Sequence, residues 1–108
     1  MLINLLKLVS FIRIVDLGSF SKAADSLGLS APAVSKQMRE LERFLKVQLL
    51  RRSTRSFTLT QAGHQAYAYF SSMLENLDQF CEQIPSLSDN PYQKKVEHPI
   101  MGVKKDIG

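Results

Sequence analysis

The sequence predicts a mainly α-helical fold with a three-helix core, a two-stranded β extension and one long helix after it. Three observations point there. Apolar residues recur at helical spacing through four segments, most of them opened by Ser or Thr or closed by Gly. Only two short runs, joined by a polar connection, read as extended. The last helical stripe outlasts what the core of a small domain requires. With 108 residues, 44% hydrophobic and 22% charged, the chain suits one small soluble domain, and it has no apolar run of the ~18 residues a membrane span needs.

Residues 2–16 form the first expected helix. Leu5, Leu8, Ile12 and Val15 step by 3, 4 and 3, and Leu2, Leu6, Val9, Phe11 and Ile14 widen the face, so several neighbours should cover it. Gly18 suits a left-handed terminal residue. Ser19 or Ser21 then caps a second helix to Leu27, in which Ala23 and Ala24 allow close helix approach. Gly28 stops it and Leu29 can return to the core. Ser30 caps a third helix, with Pro32 tolerated in its first turn. Val34, Met38, Leu41 and Leu45 give this helix a buried stripe, and Pro32, Ser35, Lys36, Arg39 and Arg43 leave its other side basic. Residues 47–50 and 57–60 read as strands, and 51–56 as a basic connection too polar to bury.

Thr60 caps the fourth helix, which should run to about Ile84. Gly63, Ala66, Phe70, Met73, Leu77, Phe80 and Ile84 alternate steps of 3 and 4, the pattern of a seam along a partner helix. Self-association through Phe70, Met73, Leu77, Phe80 and Ile84 is one reading, and packing of a plain core helix on the first helix is the other. From Pro85 prolines and glycines interrupt the periodicity, so 85–108 is expected to be a mostly disordered tail. The plan is a domain over 1–60, with the helix-turn-helix at about 20–39 and the β ribbon at about 47–60, then a linker helix over 61–84 and the tail.

Several function classes drop out. The single cysteine, Cys81, excludes an internal disulfide and fits a reducing cytoplasm; next to the seam it reads as a small buried hydrophobe. His64 and His98 lie far apart, so no metal site is expected. No secretory signal is expected, because the apolar start lacks a preceding basic stretch and a following cleavage site. No nucleophile–base pair or glycine-rich phosphate loop suggests an enzyme, and no cofactor is expected. Charge is uneven: from Lys22 to Arg55 eight basic residues face three acidic ones, whereas 56–84 holds no Lys or Arg. A positive working surface beside an acidic helix favours an anionic partner.

Two helices about a tight turn at Gly28, the second with a basic face and followed by a basic hairpin, make a winged helix-turn-helix pattern. An α-helix of ~10–12 Å fits a B-DNA major groove of ~12 Å, where its N-terminal side chains meet base edges. A hairpin tip with Arg55 can reach the adjacent minor groove or backbone. Phe11, Gly18 to Ala24, Leu27, Ser30, Pro32 to Met38, Leu41, Glu42, Leu49, Leu50, Arg52, Arg55 and Leu59 to Gly63 resemble the N-terminal DNA-binding domain of LysR-type transcriptional regulators, over about residues 2–80.

That resemblance implies a cytoplasmic bacterial regulator that dimerises through the fourth helix and binds double-stranded DNA at dyad-symmetric operators. Position by position, it makes Pro32, Ser35 and Lys36 recognition-helix contacts and Arg55 the wing contact. Lys22, Arg39 and Ser21 become phosphate contacts. Two positions depart from the family pattern. Ala31 stands where Gln is frequent and offers only apolar contact, for instance to a thymine methyl. Lys36 stands where Arg is common and lacks the fork that pairs bidentately with guanine. No effector-binding domain is expected within these residues, hence no small-molecule effector. The alternative is an interaction module that pairs with a full-length relative through helix 61–84 and modulates it.

Overall fold

The computed structural model describes residues 4–54 and 56–87 and shows four helices and a two-stranded antiparallel ribbon. The helices are α1 (Leu5–Leu17), α2 (Phe20–Leu27), α3 (Ala31–Leu45) and α4 (Gln61–Gln83), and the strands are β1 (Leu50–Arg52) and β2 (Phe57–Leu59). A 3-10 turn, Ile84–Leu87, closes the described chain. This is the winged helix-turn-helix predicted from the sequence.

Helix ends follow their caps. α1 starts at Leu5, later than expected, because Asn4 is extended (φ −81, ψ 123) and its side chain accepts from the Leu6 amide at 2.8 Å. An asparagine in that geometry satisfies an otherwise orphaned donor and ends helical propagation backward. Of the two candidate caps for α2, Ser19 takes the role, accepting from the Lys22 amide at 3.1 Å. Gly18 and Gly28 are both left-handed (φ 68 and 69), which turns the chain sharply on either side of α2. Ser30 caps α3, accepting from the Ala33 amide at 3.2 Å. α3 ends at Lys46, a non-glycine left-handed residue (φ 59) that no sequence signal marked.

Phe11, Ile14, Val34, Met38, Leu41 and Leu49 are fully buried where α1, α2, α3 and the ribbon meet. The buried Ser10 hydroxyl donates to Gln37 Oε1, so α1 and α3 share a satisfied polar contact inside the core.

The ribbon differs from expectation by a shift. β1 spans Leu50–Arg52 rather than residues 47–50, and Val47 is exposed. The register pairs Leu50 with Leu59, Arg51 with Thr58 and Arg52 with Phe57. Polar residues do not preclude a strand with one wet face, and the reading of 51–56 as connection overlooked that. Because side chains alternate along a strand, Arg52 shares a face with the buried Leu50, although Arg52 is itself exposed.

Glu42 fixes the base of the ribbon: its Oε2 accepts from the amides of Leu49 (2.7 Å) and Leu50 (3.0 Å). Thr60 joins the ribbon to α4 by donating to the Gln48 carbonyl (2.6 Å) and accepting from the Gly63 amide (2.9 Å). Gly63 sits so close to β1 that a Cβ there would lie 2.1 Å from the Leu49 carbonyl oxygen.

The apolar seam of α4 divides. Ala66, Phe70 and Met73 pack on the domain's own core, Phe70 meeting Phe11 edge to face with centroids 6.4 Å apart. Leu77, Phe80 and Ile84 stay exposed at 37%, 51% and 46%. Leu74 and Asp78 are buried instead. The 3.5-residue seam drifts by ~20° per heptad on a 3.6-residue helix, so its second half rotates off the face that touches the core. Residues 85–87, expected in the tail, belong to the 3-10 turn; the rest of the expected tail, 88–108, lies outside the described residues.

Candidate nucleic-acid interface

Ala31, Pro32, Ser35, Lys36 and Arg39 lie on one broad face of α3, linked by the steps of three and four that make neighbours on a helix surface. Pro32, Lys36 and Arg39 are exposed, and Ala31 and Ser35 are half-buried. α2 packs against both α1 and α3 and buries Ala23 and Ala24 in the shared core. Ser21 and Lys22 are exposed on the first turn of α2.

Between the N-terminal turns of α2 and α3 and the ribbon runs an open cleft of about 450 Å³. Ser21, Ala31, Pro32 and Ser35 line it, together with Arg52, Ser53, Thr54 and Ser56 from the ribbon. Lys22, Lys36 and Arg39 are not among its lining residues. Lys36 Nζ lies 4.0 Å from Glu40 Oε2, whose other oxygen is 3.6 Å from Lys7 Nζ. With its side chain 69% exposed, Lys36 is only loosely held by that pair and can reach another anion. Arg55 lies outside the described residues; its neighbours belong to a turn closed by the Ser53 amide donating to the Ser56 carbonyl at 2.8 Å.

Arg52, read from the sequence as part of a connection too polar to bury, is exposed as expected but belongs to β1 and makes contacts that the sequence reading did not assign. Its guanidinium donates to Ser35 Oγ at 2.8 Å and lies over the Phe20 ring, 4.7 Å from the centroid. Arg39 donates to the same oxygen at 3.0 Å. The signal available in the sequence was the alternation Leu50, Arg51, Arg52, which puts Arg52 on the face of Leu50 once β1 includes it.

Far from this cleft, the Tyr67 hydroxyl donates to Asp16, tying α4 to the end of α1. That bond, with burial and the Asp16 and Glu75 charges, pushes the phenol up to about 12 from its usual 10.0. Tyr69 is 68% exposed and Cys81 is a half-buried free thiol. Among the described residues no three of His, Cys, Asp and Glu cluster as a metal ion would require, and no helix is long and apolar enough to cross a membrane.

Residues 5–64 match the family model for bacterial regulatory helix-turn-helix proteins of the lysR family. The chain is 38% identical over 89 residues to the HTH-type transcriptional regulator PtxR of Pseudomonas aeruginosa, covering 82% of this chain and 28% of that protein. It is 42% identical over 69 residues to the HTH-type transcriptional regulator BenM of Acinetobacter baylyi, covering 64% of this chain and 23% of BenM. It thus spans roughly a quarter of the length of these curated relatives. Among solved structures it resembles the BenM_DBD/benA site 1 DNA complex, with TM-score 0.75 and 36% identity over 79% of this chain and 96% of that one. The CbnR_DBD–DNA complex matches with TM-score 0.75 and 31% identity, over 81% of this chain and 100% of that one.

Proposed function

Since this chain belongs to the LysR family of bacterial regulatory helix-turn-helix proteins and is a DNA-binding regulator domain, we propose that it binds dyad-symmetric operators sequence-specifically, as a dimer. One observation carries the reading: the first turns of α3 and the ribbon meet at an open cleft where Ser35 and Arg52 are joined, and Lys36 and Arg39 stand exposed on α3 beside it. In this arrangement the first turns of α3 enter the major groove. Ala31 and Pro32 make apolar contact with base edges, Ser35 supplies a hydroxyl, and Lys36 acts as a point charge. Ser21, Lys22 and Arg39 hold the flanking phosphates, and Arg55 reaches the minor groove or backbone. Phosphate contacts fix register, and base contacts select sequence.

The test is selection from a random duplex pool with the purified chain, followed by titration of the enriched DNA against salt. An interrupted palindrome whose affinity falls with salt supports the reading. Salt-sensitive binding with no enriched motif removes sequence specificity. Absence of binding at low salt favours the second reading, an interaction module that pairs with a full-length relative. The exposed Leu77, Phe80 and Ile84 on α4 support that alternative, because they offer a helix face for a partner to cover.

A further inference from the structure

The Ser35 hydroxyl is where α2, α3 and the ribbon converge. Arg39 Nη1 donates to it from one turn further along α3 (3.0 Å), and Arg52 Nη1 donates to it from β1 (2.8 Å). Arg52 is itself held in place, its guanidinium lying 4.7 Å from the centroid of the Phe20 ring. Phe20 in turn meets Phe57 of β2 edge to face, with centroids 5.8 Å apart.

A serine hydroxyl has two acceptor lone pairs and one proton to donate, and guanidinium groups only donate. With both lone pairs of Ser35 facing guanidinium N–H groups, only the hydroxyl proton is left for a ligand. Among the described residues that proton has no acceptor, and Ser35 lines the open cleft. An unrestrained serine can rotate to meet a donor or an acceptor, so it discriminates poorly between bases.

We infer that Arg52 is a positioning residue that turns Ser35 into a donor-only reader. Ser35 then recognises a hydrogen-bond acceptor on DNA, either at a base edge (purine N7, guanine O6 or thymine O4) or on a phosphate, and rejects the amino group of cytosine. The inference rests on the operator-binding reading above. It adds to it the chemical polarity of one contact and a residue that sets that polarity without needing to touch DNA.

The experiment uses the whole chain and the duplex enriched by selection. Affinities are measured by fluorescence anisotropy across duplexes that carry each base-pair swap, each 7-deazapurine and each methylphosphonate in one half-site. The parent should show one position at which removing the acceptor costs about tenfold, the value of one well-formed hydrogen bond. Ser35→Thr, which keeps the hydroxyl, should preserve that penalty, and Ser35→Ala should abolish it. Arg52→Lys keeps the charge but loses the planar fork and the stack; it should reduce the penalty to about twofold with the salt slope unchanged. Phe20→Leu, which removes the stack on Arg52 together with the edge-to-face contact with Phe57 but keeps an apolar side chain, should give an intermediate value. A penalty that maps to a 7-deazapurine or base swap identifies a base edge, and one that maps to a methylphosphonate identifies a phosphate. The inference is overturned if Arg52→Lys keeps the full penalty, if it weakens every duplex alike, or if the Ser35-dependent position prefers the cytosine amino group. A parent that binds all duplexes equally overturns the operator reading itself, and this inference with it.

Discussion

Replacing Gly63 by Ala should destabilise the domain, although the same exchange in an open helix stabilises by about 1 kcal/mol. The sign reverses because of what the new methyl would meet: the Leu49 carbonyl oxygen at 2.1 Å, the Leu49 carbonyl carbon at 3.1 Å and Leu59 Cδ2 at 2.9 Å. The Leu59 side chain can rotate aside. The Leu49 carbonyl is held, because its oxygen accepts from the Thr60 amide at 3.0 Å and the Leu49 amide is bonded to Glu42 at 2.7 Å. Leu49 is also fully buried, so it cannot retreat into solvent. The start of α4 must therefore withdraw from β1 by roughly 1 Å before van der Waals contact is restored. Overpacking of this kind costs about 1–3 kcal/mol, and weakening the Thr60–Leu49 bond adds about 1 kcal/mol. After the helix-propensity gain the net loss is about 1–3 kcal/mol, which lowers Tm by about 5–20 °C in a domain of this size. Thermal unfolding followed by circular dichroism at fixed protein concentration measures it, with Gln65→Ala, exposed on the same helix, as the control expected within about 0.5 kcal/mol. A Gly63→Ala variant that unfolds at or above the parent's temperature would refute the close-approach argument.

The order of elements was legible in the sequence because local rules and tertiary packing agree there. Ser30, Thr60, Gly18 and Gly28 each stand where a cap or a left-handed residue is needed, and Val34, Met38 and Leu41 are buried as their spacing requires. What was not legible depended on long-range pairing. The two strands are three residues each, too short for alternation to fix a register, so Arg52, exposed as its polarity requires, gave no sign of its contacts with Ser35 and Phe20. The end of α3 rests on Lys46 in a conformation glycine usually takes, so composition alone did not mark it. Glu42 gave no periodic signal for its role, because its partners are backbone amides seven and eight residues away. The residues of the α3 face were visible from spacing, but the convergence of Arg39 and Arg52 on Ser35 requires the fold.

Glu42→Ala strips both buried amides of their acceptor and should cost about 2–4 kcal/mol in urea unfolding, whereas Glu42→Gln, which can keep a neutral acceptor, should cost about 1 kcal/mol. An alanine variant within 0.5 kcal/mol of the parent would remove Glu42 as the ribbon's anchor. The Tyr67 phenol is raised in the folded state to about 12 from 10.0, so its link to Asp16 contributes fully below pH 10 and is lost as pH rises through 12. The parent's Tm should therefore fall more steeply across that window than that of Tyr67→Phe; equal slopes would show that the α1–α4 tie contributes nothing. Arg55→Ala should weaken operator binding about tenfold, lower the salt slope by about one and flatten any preference for A·T flanks. Equal binding by parent and variant would take the ribbon tip out of the DNA contact.

The two halves of the α4 seam call for opposite outcomes from the same substitution. Phe70 packs against Phe11 and the core, so Phe70→Asp forces a carboxylate against apolar neighbours and should cost the isolated domain about 3 kcal/mol or more. Leu77 is already 37% exposed in the single chain, and a charge there has water to face, so Leu77→Asp should leave the melting of the monomeric state within about 1 kcal/mol of the parent. Its effect should fall on association. Paired across two chains, Leu77, Phe80 and Ile84 would each lose the exposure they now have, and a carboxylate at the centre of that stripe should weaken self-association at least tenfold. Sedimentation velocity over a concentration series, with thermal unfolding at the lowest concentration, separates the two effects. A Leu77→Asp dimer as tight as the parent's would place the interface elsewhere. A parent that stays monomeric at every concentration would mean that this half of α4 does not by itself join two copies, and the exposed stripe would then have to be tested against a full-length relative.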